Sequence, residues 1–394
     1  MNIFLVGNGF DLYHGLPTKY ENFLHTMEYI INHKNDDLYQ YSVGEIFKAI
    51  ASEKMDSFIE KSYKKYESAY NQVYFEKQDI NTILALSNNM WLKYFIDLYN
   101  KDLGWIDFEK EIAFVLKQFY AVLCPAAFYP QALHVLRYFS FFYDMQANII
   151  VHEVSDISIK EEYKDKNPFN FNNYKPDQEK IVDKLFDSLK KLITLLKLYL
   201  KFFVEKPLDL TSSQEIINNH VFKKANYVVN FNYTNTFEKL YGLNKDKVFH
   251  LHGDIDNEMV LGINPDSKDE LNELDTTFIQ FKKYYQRIVY RTDLNYQGFI
   301  KSIGISYSQS PTLSNSNNFI VIVAGHSLDK TDEDIIKQVF NLADKIVILC
   351  HNDQAIGKYI KNLITIYGKK EFDNLRSKTD LEFTSYENLD NVLL

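Results

Sequence analysis

The sequence predicts an α/β fold: a mostly parallel sheet covered by helices on both faces, with a large all-α insertion after the first strand. Three observations predict it. Asn2 to Val6 is a short apolar run ending in Gly7-Asn8-Gly9, the pattern of a buried strand that enters a glycine-rich loop. From about Tyr20 to Thr211 apolar residues recur at helical spacing, as in Phe108, Ile112, Val115 and Phe119. Beyond Asn226 short β-branched or aromatic runs alternate with helical ones, the order expected of parallel strands buried on both faces.

The length of 394 residues exceeds the usual size of one hydrophobic core. The expected division sets residues 1–20 and 220–394, a nucleotide-binding domain, against a helical insertion domain over residues 21–219. Five runs predict strands after the first: Tyr227 to Phe231, Val248 to Leu251, Met259 to Gly262, Phe319 to Ala324 and Ile346 to Cys350. Helices are expected from Thr276 to Tyr290, Asp332 to Ala343 and Gln354 to Tyr367. The polar interval from Asp156 to Gln178 reads as a surface loop. Leu185, Leu189, Leu192, Leu196, Tyr199 and Phe203 form one apolar stripe, which fits a core-facing helix first and an oligomer contact second.

Composition narrows the function classes. Apolar residues make up 46% and charged residues 25%, so the chain is neither disordered nor fibrous. Forty-four Lys and Arg face 53 Asp and Glu, a net charge of -9 that repels polyanions, and a small ligand is expected in preference to nucleic acid. The two cysteines, Cys124 and Cys350, argue for a reducing compartment and cannot build a thiolate zinc site. Neither a basic leader nor a long apolar run is present, so a cytoplasmic protein without a membrane partner is expected.

Four polar clusters follow strand ends, where open α/β sheets bind ligands. Gly7-Asn8-Gly9-Phe10-Asp11 lacks the third glycine of the dinucleotide fingerprint and the Gly-Lys-Ser/Thr of a Walker loop; its spacing fits a tight turn as well as a phosphate cradle. In Asn230-Phe231-Asn232-Tyr233-Thr234-Asn235, Thr234 or Asn235 suits a helix N-cap, whereas Asn232 falls where the strand stops. His250-Leu251-His252-Gly253-Asp254 offers a neutral-pH proton shuttle, room for a ligand at Gly253, and a weaker metal alternative through His250, His252 and Asp254. On an extended strand both histidines would face one surface while Phe249 and Leu251 face the other. Gly325-His326-Ser327-Leu328-Asp329, followed by Asp332, makes a second glycine and hydroxyl cradle.

These motifs are recognisable together. Gly7-x-Gly9-Phe10 with Gly15-Leu16-Pro17, Asn232-Tyr233, Leu251-His252-Gly253 and Gly325-His326-Ser327-Leu328 resemble sirtuin motifs in sirtuin order. Adding Trp105-Ile106-Asp107-Phe108-Glu109, the set resembles the AbiH family of bacterial abortive phage-infection proteins from Asn2 to about Asp334. The resemblance implies a sirtuin-like Rossmann-type sheet and a role in phage defence. Through the sirtuin likeness it further implies NAD hydrolysis, with nicotinamide released and the cell depleted of NAD. Pro17-Thr18-Lys19-Tyr20 replaces the Pro-Asp-Phe-Arg of deacylases, and the sirtuin zinc module is absent, so deacylation is not expected.

The implied catalytic residues are His252 and Asn232. Gly7, Asn8, Gly9, Phe10, Asp11, Gly253, Gly325 and Ser327 would bind NAD, as substrate and with no metal. A phage trigger is expected to act through the helical block or a homo-oligomer. The alternative is a nucleotide or ADP-ribose sensor without turnover. For Asp107, Glu109 and Glu111 the default is favourable placement in a helix's first turn, with a cavity role for Asp107 or Glu109 second.

Overall fold

A computed structural model of the protein describes residues 1–101, 106–123, 133–143, 158–165, 176–211, 220–263, 276–308 and 319–389. Trp105, Cys124 and most of the Asp156 to Gln178 interval lie outside them. Six strands form one sheet: β1 (Asn2–Val6), β2 (Tyr227–Asn230), β3 (Val248–His250), β4 (Ile320–Ala324), β5 (Lys345–Leu349) and β6 (Asp380–Thr384). Their order is β3-β2-β1-β4-β5-β6 and every pairing is parallel. This is a doubly wound order whose direction of winding reverses between β1 and β4, and a crevice opens at that point beyond the carboxyl ends of the strands.

Alternate residues of each central strand enter opposite cores, as the period of two requires. Phe4, Val6, Val228, Ile322 and Val347 pack on one face. Ile3, Leu5, Val229, Val321, Val323, Ile346 and Ile348 pack on the other. Each such apolar side chain contributes roughly 1.5–3 kcal/mol of burial, so a one-residue slip of β1 against β4 would exchange two full cores.

The described elements between β1 and β2 are helices, among them Tyr20–Asn32, Val43–Lys54, Met90–Asn100, Phe108–Leu123 and Gln178–Leu200. The stretch after β1 is not the expected glycine-rich loop: Gly7 takes the N-cap position of a short helix, Asn8–Tyr13, that carries Gly9, Phe10 and Asp11. The apolar faces of the helices before β2 are continuous with the first sheet core. Leu185, Leu189, Leu192, Leu196 and Tyr199 are buried in it, so the stripe faces the core. Hydrogen bonds tie block to sheet: the Tyr199 hydroxyl donates to Pro17 O at 2.7 Å, and the Tyr66 hydroxyl to His14 O at 2.6 Å. The Gln178–Leu200 helix widens into a π-turn over Lys201–Glu205. The second sheet face is covered by helices after β3: Thr292–Ser308, Glu333–Phe340, Asp353–Tyr367 and Lys369–Lys378.

The structure departs from the sequence reading at several points. Met259 to Gly262 is buried but not a strand: the amide side chain of Gln286 bonds both Leu261 N and Leu261 O, occupying the groups a ladder would need. The Thr276 to Tyr290 helix is reduced to Lys283–Val289 behind a 3-10 turn at Ile279–Phe281. The edge strand β6 is half-exposed, and its alternation of Asp, Leu, Glu, Phe and Thr is too short to stand out in the sequence. Among the described residues no helix is long and apolar enough to cross a membrane.

The helix start after β1 and the loop after β4 approach each other closely. Gly9 N donates to Gly325 O at 2.9 Å, and Gly7 N to Ala324 O at 3.2 Å. A Cβ on Gly7 would lie 2.7 Å from His326 Cα, and one on Gly9 would lie 2.8 Å from Gly325 Cα. Gly325 has φ +71, and its Cβ would overlap Phe10 N. Gly325→Ala is therefore expected to cost about 2 kcal/mol or more, from left-handed strain plus overlap. Thermal unfolding of the variant against the parent measures it, and an unchanged melting temperature would contradict the packing described.

Candidate functional site

A cavity of about 840 Å³ opens at the carboxyl edge of the sheet where β1 meets β4. Its wall takes residues from the loops after β1, β2, β3 and β4, and also from the helical block. Asn8, Asp11, Asn232, His252, Gly325 and Ser327 all line it. Phe10 and Gly253 do not. The Phe10 ring is stacked on Phe237 and set edge-on to Phe222 in the core. Gly253, at φ +72, is needed because a Cβ there would overlap Glu258 O.

At the end of β2 the amides organise themselves. Asn230 Oδ1 accepts Asn232 N and Asn230 Nδ2 donates to Thr234 O, folding the chain back on itself. Asn232 Nδ2 donates to Gly7 O at 3.0 Å and so fixes this side chain between β1 and β2. Thr234 does not cap the following helix: its hydroxyl donates to Asp11 Oδ2 at 2.6 Å. Asn235 occupies the cap position without a side-chain capping bond, and its N–H goes to Glu205 Oε1. Burial pushes Asp11 up to about 7 despite the Thr234 bond, and its Oδ1 is buried without a partner.

The two histidines part company. β3 ends at His250, and Leu251 and His252 lie in a turn, so strand parity stops before it can align them. His250 does not line the cavity; its Nε2 meets Glu238 Oε1 at 2.8 Å and its Nδ1 meets Asn232 O at 3.1 Å. Burial would lower its pKa, but the Glu238 carboxylate outweighs burial and the net direction is upward. Asp254 is occupied by Asn257 and by the Asp256 and Asn257 backbone N–H groups. Among the described residues no group of three or more His, Cys, Asp or Glu side chains is arranged to hold a metal ion.

His252 belongs to a buried charge cluster that the sequence reading did not assemble. Its Nε2 lies 3.4 Å from Asp332 Oδ1, and His326 Nε2 lies 3.5 Å from Asp332 Oδ2. Both are close polar contacts, and Oδ1 makes no aligned hydrogen bond. His326 Nδ1 accepts Leu328 N, which places the proton of its neutral ring on Nε2, toward Asp332. The chain turns here through Leu328 at φ +53, a strained conformation for a branched residue. Lys283, only 3% exposed, sits 2.7 Å from Glu109 Oε1 and 3.9 Å from Asp332 Oδ1.

The cluster sets its own protonation. Burial alone would raise Asp332, yet Lys283, His252 and His326 hold the carboxyl well below the usual range. Burial and then Lys283 push His252 down to about 4, with Asp332 opposing. At neutral pH the ring is uncharged, and with Nε2 toward Asp332, Nδ1 is the free lone pair, buried without a partner. Burial pushes Glu109 up to about 6 against the pull of Lys283.

A profile of the family described as bacteriophage abortive infection AbiH matches residues 3–351. The chain belongs to the AbiH family. Membership implies a role in abortive-infection defence against phage. No curated protein and no solved structure matches the chain. Within this AbiH chain the four strand ends named from the sequence all contribute to the cavity wall, whereas Lys283 and Arg287, which also line it, occur in no recognisable motif. The sequence reading assigned no role to His326 or Asp332, although both stood within or beside a named motif. The sequence offers no signal that separates Asp332 from Asp329, Glu333 and Asp334 beside it; only the fold shows Asp329 accepting Thr331 N while Asp332 turns to the two histidines.

The His250–Glu238 pair carries a pH signature. Because its folded pKa is raised, the stability it contributes is fully present below the unfolded value of about 6.5 and is lost as pH rises through the folded value. Melting temperatures at mildly acid and mildly alkaline pH should therefore show a drop in the parent that Glu238→Gln reduces; equal drops would remove the pair from the account.

Proposed function

We propose that this AbiH-family protein binds NAD in the switch-point cavity and hydrolyses the bond between nicotinamide and ribose, depleting the cell of NAD during infection. The observation that carries this reading is the neutral His252 backed by Asp332 on the wall shared with Asn232. The cavity volume of about 840 Å³ falls within the range of small-ligand and cofactor sites, and its place at the switch point suits a dinucleotide. The sirtuin-like order of the loop motifs supports the same choice of substrate.

The chemistry follows from the groups present. Cleavage passes through an oxocarbenium-like state, so the site must hold the ribose and place a base at the attacking oxygen or a ribose hydroxyl. His252 supplies that base from the cavity wall, and Asp332 beside its Nε2 stabilises the imidazolium that forms. Asn232, locked by Gly7 O, orients the ribose or the water. The N–H groups of Gly7 and Gly9 are committed to β4 and its loop, so their contribution is a wall without side chains, which lets the diphosphate approach closely. Asn8, Ser327, Arg287 and Lys330 supply donors and positive charge on that wall. The Asp11 carboxylate suits a ribose hydroxyl rather than a phosphate. Such an activity needs restraint, for which contacts through the helical block are the available route.

Incubating the purified protein with NAD and following nicotinamide by chromatography tests the reaction; tight NAD binding without nicotinamide would establish a sensor instead. Asn232→Ala is expected to abolish both NAD loss and phage protection, with a fall in melting temperature no larger than loss of the bond to Gly7 O accounts for, about 1–3 kcal/mol. His252→Ala should cost at least the roughly hundredfold typical of a lost general base, and His250→Ala distinctly less. The reverse order of rates would overturn the assignment.

A further inference from the structure

Three acids crowd the first turn of the Phe108–Leu123 helix and its cap, and the structure gives them different work. Asp107 caps the helix: its Oδ1 accepts Glu109 N at 3.1 Å and Lys110 N at 3.3 Å. Glu111 Oε2 accepts the Tyr94 hydroxyl at 2.8 Å, inside the helical block. Glu109 does neither. It reaches across to Lys283 on the sheet side, 2.7 Å away, while a quarter of its side chain remains accessible and it lines the cavity. A carboxylate needed only to balance a buried lysine gains nothing from that opening, and Lys283 already has Asp332 at 3.9 Å.

We propose that Glu109, supplied by the helical block, is a second proton-accepting residue of the site, held beside His252 through the Lys283–Asp332 link. This rests on the hydrolytic reading above. Water attacks the ribose carbon as the bond to nicotinamide breaks; the electron pair leaves with neutral nicotinamide, and the proton of the water passes to the free carboxylate oxygen of Glu109. Of the two groups it is the Glu109 carboxylate that faces open cavity, whereas His252 Nδ1 is enclosed. Lys283 acts as the positioning residue. The charges and titratable groups facing Glu109 are Lys283, Lys110, Asp332, Asp107, Tyr20 and Tyr233. Of the two cations Lys283 acts more strongly and favours the ionised carboxylate, whereas burial and the two aspartates favour the acid form and bring the balance close to pH 6. Activity should therefore be present above about pH 6 and fall below it.

The test compares Glu109→Gln, Glu109→Asp and, as a control in the same helical turn, Glu111→Gln, by nicotinamide release, thermal melting and phage protection. Glu109→Gln should lower kcat by roughly a hundredfold with little change in KM, flatten the acid limb near pH 6, lose protection and melt near the parent. Glu109→Asp should recover part of the rate, and Glu111→Gln should still protect. A Glu109→Gln protein with the parent's rate and acid limb overturns the proposal. So does one that merely melts early and is not rescued by Glu109→Asp. If the parent itself releases no nicotinamide, the NAD reading fails separately, and a Glu109→Gln protein that still protects then overturns the role of Glu109 at this site whatever its substrate.

Discussion

The contact on which the site depends is the backbone-to-backbone meeting of the helix start after β1 with the loop after β4. Gly7, Gly9 and Gly325 bring two main chains together without side chains between them, and the Gly9 N to Gly325 O bond closes the seam. That seam lies where the parallel sheet reverses its winding, so it forms the base of the crevice the topology opens. It also aims the segment downstream of β4. His326 and Ser327 leave the seam directly, and the turn through Leu328 leads to Asp332. The glycines here therefore serve the packing first, and any ligand benefits from a wall already built.

Around that base the electrostatics divide the cavity wall. One part carries Asp11, a buried carboxyl joined to Thr234 with Glu205 and Glu238 acting on it in the same sense as burial. The other carries Lys283, Arg287, Asp332, His252, His326 and Glu109. In the second, a single buried lysine matters most: it holds Asp332 ionised, helps keep His252 neutral and favours ionised Glu109. The low polarisability of such a setting makes these couplings stronger than they would be in water. It also makes them dependent on position, since a charge moved away from its partners leaves an uncompensated ion behind.

This dependence gives the helical block a physical connection to the chemistry. The block contributes Tyr20, Asp107 and Glu109 to the wall. Its π-turn offers Glu205 to Asn235 N and to Lys239, directly beyond the Asn230 to Thr234 loop. Tyr199 and Tyr66 fasten the segment after the first strand. Any displacement of the helices must therefore be felt at both parts of the wall.

The sequence by itself determined the class of fold, five of the six strands to within a residue or so, the helical block and the strand ends at which the loops gather, because these are written in local periodicity and in glycine and amide clusters. The AbiH motifs were legible for the same reason. Tertiary structure decided the rest. It made Met259 to Gly262 an irregular segment through the Gln286 amide, and turned Phe10 into the core. It gave Thr234 to Asp11, and His250 to Glu238 while His252 entered the cavity. It also assembled Glu109, Lys283, His326 and Asp332 into one cluster from distant places in the chain. No local pattern encodes such a meeting; charges far apart in sequence acquire partners and protonation states only when packing removes the water between them.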